Sequence, residues 1–416
     1  MNASSSKHAR TSRWLSLMIV VVGGSTATAA DWSQFRGAAS NSVVAADESL
    51  PTEWSKDKNV AWQVELPGRG PSSPIVVDAR VIVTASSGVN QDRLHVLCFS
   101  TMTGKKMWER QFWATGRTLT HPTSANAANT PASDGKLIFA FYSSNDLVCL
   151  DLDGNLKWLR GLTFDYPSAG NDVGLAASPV VLGETVVVQI ECQGESFAAG
   201  IDKNTGLTKW RVERDREAGW CSPIVMRGKT PAEDRVLLQS ANYLSAHEPA
   251  TGKEVWRFKD ACSGIPSAAA DGDTVYVPAG GMAALRPATG TSEPSVLWKA
   301  ANLQPASASP IVSGGRVFTI NRAGVVACAD AATGELLSQV RLQGSFWGTP
   351  VLVGNRLYCI SQEGLAQIVE YSGEGRQGEV IGKGEIGETI QSSPAVADGA
   401  LYIRSDRHLW KIAKGQ

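Results

Sequence analysis

The seven cysteines of this 416-residue sequence form no recognised motif. No two are adjacent and no CxxC pair occurs, so the sequence supports neither a dithiol redox site nor a cysteine-based zinc site. Because their number is odd, at least one has no partner within the chain. Cys98, Cys149 and Cys328 recur at one place, on the third strand of three repeats, and we interpret them as small buried apolar residues.

An excess of charge is also lacking, since the formal net charge of the whole chain is −1. The first 30 residues contain three of the cations (Lys7, Arg10 and Arg13) and no acidic residue, so without them the net charge is −4. This balance argues against nucleic acid or an anionic membrane surface as a partner.

The apolar run from Trp14 to Val22 is too short to span a bilayer. It follows a basic start and precedes Ala27-Thr28-Ala29, a small-residue cleavage pattern, which together predict a signal peptide over residues 1–30. A short membrane anchor is the alternative. No cysteine for lipid attachment lies near the cleavage site, and no adjacent arginines indicate twin-arginine export. We expect a periplasmic or secreted bacterial protein with no membrane span after processing.

Helical periodicity is nearly absent after residue 30, and a repeat of about 40–50 residues takes its place. Ser73-Pro74-Ile75-Val76 opens the first unit with a Ser-Pro step and a short apolar strand, followed by a polar turn and further strands. The pattern predicts an all-β fold, an eight-bladed β-propeller with four-stranded antiparallel blades. The opening prolines, or their equivalents, are Pro74, Pro131, Pro179, Pro223, Pro266, Pro310, Pro350 and Pro394.

A second turn recurs before the fourth strand, and a tryptophan usually follows four residues after its glycine, as Trp108 follows Gly104. Such a large flat side chain can seal the wedge between neighbouring sheets. Asp151-Leu152-Asp153-Gly154-Asn155 resembles part of a calcium loop, but its register makes it one of these turns. The turns are Thr103-Gly104, Asp153-Gly154, Thr205-Gly206, Thr251-Gly252, Thr289-Gly290 and Thr333-Gly334.

The eighth repeat ends after Trp410-Lys411-Ile412 and lacks a fourth strand, whereas a spare strand with Trp62 lies at residues 59–66. We therefore predict that strand 59–66 closes the ring, which removes an exposed sheet edge. Residues 59–416 form the propeller domain. Residues 31–58 form a lead-in arm, whose anchors Trp32, Phe35 and Trp54 we expect against the outside or one face of the domain.

These units resemble pyrroloquinoline-quinone-like (PQQ-like) repeats. The resemblance rests on Ser73-Pro74-Ile75-Val76 with Thr103-Gly104-Lys105-Lys106-Met107-Trp108, on Ser178-Pro179-Val180-Val181 with Asp202 to Trp210, and covers residues 59–412. The opening Trp32-Ser33-Gln34-Phe35-Arg36-Gly37 is similar to secreted propellers of planctomycete-type bacteria. The family includes quinone-dependent dehydrogenases and non-enzymatic scaffolds, among them the propeller lipoprotein of the outer-membrane assembly machine. The repeat is specific for the fold and not for the function.

The dehydrogenase members, as the resemblance implies, hold the quinone near the axis between a tryptophan and a disulfide of adjacent cysteines, beside calcium and a catalytic carboxylate. This sequence has no adjacent cysteines and no assignable calcium ligands. We therefore expect no cofactor, and PQQ with calcium is the alternative.

Two long connections, residues 111–130 and 161–177, join blades at the face that surrounds the channel mouth. Long loops on a rigid scaffold are where binding residues concentrate. We propose that the ligand-binding face includes Arg117, His121, Tyr166, Asn171, Trp220 and Trp347.

The sequence thus favours an exported, non-catalytic and monomeric propeller that binds a partner protein or an extracellular ligand at the channel mouth. A PQQ-dependent alcohol or sugar dehydrogenase with an atypical site is the alternative, and carbohydrate binding is a third hypothesis.

Ring closure by residues 59–66 predicts the effect of a truncation. A chain without residues 31–66 should be open and poorly soluble, because the third strand of the last blade would present an unpaired edge. Size-exclusion chromatography and thermal melting test this prediction. A monomeric truncation that melts cooperatively would contradict it.

Overall fold

Short β-branched strands, separated by glycine and aspartate turns, form eight antiparallel sheets arranged as the blades of a β-propeller. The computed structural model describes residues 1, 2, 31–47, 49–287 and 293–415. The predicted signal peptide and the Thr289-Gly290 turn lie outside the described residues. The predicted all-β, eight-bladed architecture is confirmed.

The first four blades each consist of four consecutive strands. Blade 1 has Ile75–Val77, Arg80–Ser87, Arg93–Ser100 and Lys106–Trp113; blade 2 has Ala132–Ser133, Leu137–Phe141, Asp146–Asp151 and Leu156–Gly161; blade 3 has Val180–Leu182, Thr185–Ile190, Phe197–Asp202 and Thr208–Glu213; blade 4 has Ile224–Met226, Arg235–Gln239, Tyr243–His247 and Glu254–Lys259.

The other four blades follow the same plan, and two of them also take a strand from the N-terminal part of the chain. Blade 5 has Ala269–Asp271, Thr274–Pro278, Met282–Arg286 and Ser295–Ala300; blade 6 has Ile311–Ser313, Arg316–Ile320, Val325–Asp330 and Leu336–Arg341; blade 7 has Val351–Val353, Arg356–Ile360, Leu365–Ser372 and Gln377–Glu385, with Val43–Val44 added in parallel; blade 8 has Ala395–Ala397, Ala400–Arg404, His408–Ile412 and Val60–Glu65.

Helix is limited to short segments within the described residues: an α-helical turn at Leu162–Asp165 and 3₁₀ turns at Pro231–Glu233 and Gly373–Gly375. None of the helices that the structure describes is long and apolar enough to cross a membrane.

The core lies between neighbouring blades, where the second and third strands are covered on both faces. All six residues of Thr185–Ile190 are buried, which explains why this strand is a continuous run of β-branched residues with one glutamine. Cys98, Cys149 and Cys328 are buried thiols, as the sequence predicts. Burial raises the pKa of the Cys98 thiol to about 12, so this cysteine is an inert packing residue.

The ring closes as the sequence predicts. Val60–Glu65 pairs in antiparallel with His408–Ile412, so Gln63 lies opposite Trp410. The N-terminal strand thereby supplies the fourth strand that the eighth repeat lacks.

Recurring tryptophans join blades 1, 2, 3, 5 and 8 to the blade that follows, as predicted. The Trp108 indole donates from Nε1 to the Leu152 carbonyl oxygen at 2.9 Å and lies on Gly154 of blade 2. Gly154 has a φ of +79°, and a Cβ atom there would come within 2.7 Å of the indole ring. Only glycine fits both constraints. Trp62, Trp158, Trp210 and Trp298 make the same carbonyl contact with the following blade.

A closed circle of hydroxyl groups joins the upper ends of the inner strands, that is, the ends at which the first strand of each blade begins. The backbone N–H of each member donates to the hydroxyl oxygen of the next member at 2.9–3.1 Å, and the last donates to the first. We call this set the hydroxyl ring: Ser73, Thr130, Ser178, Ser222, Ser267, Ser309, Thr349 and Ser393.

The hydroxyl ring corrects the repeat register in blade 5. In seven blades the ring member directly precedes the opening proline, but in blade 5 Ser267 is followed by Ala268. Ala268 is therefore the structural equivalent of the opening prolines, and the equivalence given to Pro266 was wrong by two residues. An alanine is accepted because the preceding hydroxyl, and not the proline ring, bonds the neighbouring blade.

The arm runs inside the channel along the inner strands, and not against the outside or one face of the domain, so the expected position of Trp32 and Phe35 was wrong. Its residues bond in turn to the inner strands of several blades. The contacts are Trp32 with Val76 at 2.9 and 3.0 Å, the Ser33 carbonyl oxygen with the Ser133 N–H at 2.7 Å, Gln34 Oε1 with the Val181 N–H at 3.3 Å, Ser40 Oγ with the Val225 N–H at 3.4 Å and the Ser42 carbonyl oxygen with the Leu352 N–H at 2.9 Å.

Arg36 anchors the arm to blades 5 and 6. Its guanidinium is fully buried and donates to the carbonyl oxygens of Ala268 at 2.8 Å and Pro310 at 2.6 Å. Loss of hydration lowers the pKa of Arg36 to about 9. Trp54 alone fits the expectation of an outer anchor, because its backbone bridges Gly384 in the outer strand of blade 7.

The hydroxyl ring predicts a specific cost for losing one hydroxyl. Ser309→Ala should lower the free energy of unfolding by about 1–3 kcal/mol, because the buried Ser267 N–H loses its acceptor. Ser309→Thr should retain most of the stability, since it keeps the oxygen. Chemical denaturation measures both changes.

The matched control is Ser313→Ala, at the end of the same inner strand and outside the hydroxyl ring. We expect a change within about 0.5 kcal/mol for it. If Ser309→Ala proved as mild as the control, the ring bonds would not be stabilising.

Candidate functional site

A cavity of about 710 Å³ lies above the arm, at the end of the channel where the inner strands begin. Phe35 of the arm lines its base. Seven of the eight members of the hydroxyl ring border it, Ser222 being the exception. We call this cavity the funnel.

A second layer of side chains lies above the hydroxyl ring. It consists of the residue two positions before each ring member, and all eight of these residues line the funnel. The upper layer comprises Pro71, Ala128, Ala176, Trp220, Ile265, Ser307, Trp347 and Gln391. The repeat therefore contributes one invariant type of contact, the hydroxyl, and one variable side chain from each blade.

The funnel is asymmetric because the upper layer is small on blades 1 to 3. The two long loops fill that side, and they are bonded to each other through the His121 N–H and the Val173 carbonyl oxygen at 3.0 Å. His121 and Val173 both line the funnel. His121 Nδ1 also lies 2.8 Å from Thr123 Oγ1, which orients the imidazole.

Trp220 and Trp347 stand three blades apart in the upper layer, as members of blades 4 and 7. Trp220 is held in place because its indole Nε1 donates to the Gly174 carbonyl oxygen of the second long loop at 3.0 Å. The Trp347 side chain is 45% exposed, a high value for a residue of this size. The funnel thus has one fixed and one exposed indole.

The six residues proposed from the sequence fall into two groups. His121, Trp220 and Trp347 line the funnel together. Arg117 pairs with Asp172 on the exposed surface of the loops at 2.6 Å, while Asn171 is buried and caps its own loop through Oδ1 and the Val173 N–H at 3.1 Å.

Tyr166 lies elsewhere, in the packing between blades 2 and 3. Its ring centroid is 4.5 Å from that of Phe197, and the Arg211 guanidinium lies 4.9 Å from the Tyr166 ring centroid. Tyr166 does not line the funnel. Its role in ligand binding stays a prediction.

The funnel lining is uncharged. Among the described residues that line it, none is aspartate, glutamate, lysine or arginine, and His121 is the titratable exception. Its polar groups are the hydroxyls of serine and threonine and the amides of Gln362 and Gln391.

Behind Trp220 lies a buried ion pair. Arg214 Nε donates to Glu191 Oε1 at 3.0 Å, and Ser240 Oγ donates to the same oxygen at 2.6 Å. Burial is the largest influence on Glu191 and raises the pKa of its carboxyl, although Arg214 opposes this. The backbone of Glu191 also borders the loop that carries Trp220, since its carbonyl oxygen accepts the Gly219 N–H at 3.4 Å.

A carboxylated quinone with a metal ion does not fit this lining. The funnel offers no cation to its carboxylates and no carboxylate to a metal ion. Across the part of the chain that the structure describes, no three histidine, cysteine, aspartate or glutamate side chains cluster as metal ligands. The stretch that resembles a calcium loop is a structural turn. Asp151 stabilises this turn, because its Oδ1 accepts the N–H groups of Asp153 and Asn155 at 3.0 and 2.8 Å.

A comparison with protein families identifies the chain's relatives. The family model described as outer membrane protein assembly factor BamB matches residues 21–213, 199–293, 240–321, 292–379 and 322–416, and so covers most of the chain. The chain belongs to this family. No curated protein matched the sequence.

Solved structures similar to this BamB-family chain include a BamB protein and two dehydrogenases. BamB from Moraxella catarrhalis aligns with a TM-score of 0.61 at 17% identity, over 86% of this chain and 97% of that one. A europium-containing methanol dehydrogenase aligns with a TM-score of 0.68 at 14% identity, over 90% and 89%. The quinohemoprotein alcohol dehydrogenase from Comamonas testosteroni gives 0.67 at 13% identity, over 93% and 81%. At these identities the likeness concerns the fold alone.

Sequence reasoning missed Phe35 and most of the upper layer. The signal for the upper layer was available, because it lies two residues before a Ser or Thr that repeats in every blade. Phe35 had no local signal, since its place at the base of the funnel depends on contacts such as that of Arg36 with Ala268, 232 residues away.

The buried ion pair behind Trp220 predicts a pH-dependent mutant. Arg214→Ala should destabilise the protein by about 3–5 kcal/mol at pH 8, because Glu191 becomes an unpaired buried carboxylate. The pKa of the Glu191 carboxyl is already raised by burial, and it rises further when Arg214 is removed. The variant therefore loses stability as pH increases above the carboxyl's pKa in the unfolded chain, near 4.5. The loss relative to the native protein should therefore be smallest near pH 4.

Denaturation midpoints measured at pH 4 and pH 8 test this expectation. Arg117→Ala is the control, since Arg117 forms an exposed pair with Asp172 worth about 1 kcal/mol or less. An equal loss for Arg214→Ala at both pH values would contradict the ion-pair account.

Proposed function

We propose that this protein is an exported, non-catalytic propeller that binds a ligand or a segment of a partner protein in the funnel. The observation that carries the proposal is the lining itself, in which two indoles, a phenyl ring, hydroxyls and amides surround a cavity without a charged wall. Concave sites with apolar walls and a few neutral polar groups are suited to binding. General acid–base catalysis needs a titratable group near the reacting atoms, and the described lining offers only His121.

Family membership supports a role in interaction. The family is described as outer membrane protein assembly factor BamB, a description that supports a role outside the cytoplasm. That description fits the predicted signal peptide and the expectation of a periplasmic or secreted protein. It also fits a partner protein as one class of ligand.

The alternative function is a quinone-dependent oxidoreductase. The methanol and alcohol dehydrogenases share the fold over at least 90% of this chain, so the fold is compatible with this alternative. PQQ would supply two-electron redox chemistry to such an enzyme. The alternative then requires a cofactor site outside the uncharged funnel or an anionic cofactor bound without a cation in the lining.

Calorimetric titration of the mature chain, residues 31–416, with PQQ decides between the two functions. We expect no one-to-one binding with Ca²⁺ or with Eu³⁺, and no change in melting temperature. A PQQ-dependent dehydrogenase stripped of its cofactor is the positive control. Metal-dependent binding at micromolar concentration or tighter, followed by dye reduction with alcohols or sugars, would overturn the non-catalytic proposal.

A further inference from the structure

The O–H groups of the hydroxyl ring have no hydrogen-bond acceptor among the described residues. Each ring oxygen already accepts a backbone N–H, so its own proton needs an acceptor elsewhere. Among the described residues, none of the eight ring hydroxyls donates to another protein group. Since seven of them border the funnel, a ligand there meets an arc of O–H donors.

The side-chain amides of Gln362 and Gln391 and the indole of Trp347 can also form hydrogen bonds with a ligand. The side chains of Gln362 and Gln391 line the funnel, and neither bonds to another residue in the part of the chain that the structure describes. Each amide can both donate and accept. Trp347 is likewise without a hydrogen bond from its indole N–H among the described residues, and it is 45% exposed.

Three aromatic surfaces complete the lining. Phe35 lies at the base, and Trp220 and Trp347 lie in the upper layer. Flat aromatic rings bury large apolar areas at little cost in conformational entropy. A ligand that suits this site therefore combines apolar faces with many neutral hydrogen-bonding groups.

We propose that the funnel binds a neutral oligosaccharide, an assignment that rests on the proposed binding function. A pyranose ring has an apolar C–H face that can lie on an indole, and its hydroxyl oxygens can accept protons from the hydroxyl ring. Its hydroxyl protons can donate to the carbonyl oxygens of Gln362 and Gln391. The ligand thereby satisfies the donors that the protein leaves unpaired.

Two other ligand classes fit less well. A peptide segment offers one backbone carbonyl acceptor for each residue, whereas a pyranose unit offers several hydroxyl oxygens and a ring oxygen to the donors of the hydroxyl ring. An anionic ligand would lose its hydration without meeting a cation, because Arg36 is bonded to the Ala268 and Pro310 carbonyls and does not line the funnel.

The test is titration of residues 31–416 with cellohexaose, maltohexaose, xylohexaose, mannohexaose, chitohexaose and the anionic hexagalacturonate, followed by calorimetry and tryptophan fluorescence. We expect at least one neutral hexaose to bind one-to-one with a Kd on the order of 10–1,000 μM and to change the fluorescence. Hexagalacturonate should bind at least tenfold more weakly than that hexaose.

Variants separate the funnel from the rest of the surface. Trp347→Ala should weaken binding at least tenfold, and Trp347→Phe should recover part of the affinity. Trp113→Ala is the matched control, because Trp113 is 64% exposed and lies outside the funnel lining, where Arg93 covers its ring. It should leave the affinity unchanged. Melting curves confirm that each variant is folded.

Failure of all five neutral hexaoses to bind at 10 mM would overturn the carbohydrate assignment, as would binding that Trp347→Ala leaves intact. A photo-crosslinking residue placed at position 347 distinguishes failure of the carbohydrate assignment from failure of the proposed binding function. If it captured a protein and no hexaose bound, the carbohydrate assignment would fall while the binding function stood. Metal-dependent PQQ binding would overturn both.

Discussion

The structure depends on one repeated interaction, the hydrogen bond from the backbone N–H of one ring hydroxyl residue to the side-chain oxygen of the next. The ring closes only if every blade places a hydroxyl at the same height and the blades span a full circle. Each bond contributes about 0.5–1.5 kcal/mol, so the set acts as a cooperative restraint on blade number and register. Strand Val60–Glu65 then closes the same circle at the outer edge of blade 8.

Two neighbouring positions of each repeat have different roles, one in joining the blades and the other in lining the funnel. Its hydroxyls are buried and repeat because they join the blades, while the upper layer two residues earlier differs from blade to blade. The arm bonds to inner-strand amides below the ring, such as that of Val76, and brings Phe35 to the base of the funnel. A ligand therefore contacts upper-layer side chains, which differ between blades, on a frame formed by the hydroxyl ring, which repeats in every blade.

Local signals made the fold predictable from the sequence. Ser-Pro steps, Thr-Gly turns and tryptophans such as Trp108 each act over a few residues, so blade number and ring closure could be predicted and are confirmed. The predicted repeat register was wrong in blade 5, because Pro266 lies only two residues before Ala268, the true equivalent of the opening prolines. The funnel was predictable only where a side chain follows the repeat, as with Trp220 and Trp347. The path of the arm was not, because Arg36 and its acceptors are more than 200 residues apart.

Native-state hydrogen exchange of the backbone amides of the hydroxyl ring tests the central claim most directly. Resonances can be followed for each ring member in the perdeuterated mature chain. If the ring is the restraint described here, the eight N–H groups exchange together, at rates set by global unfolding. If some of them exchanged at the rates of surface loops while the blades stayed folded, the closed ring would not be what holds the propeller and its funnel together.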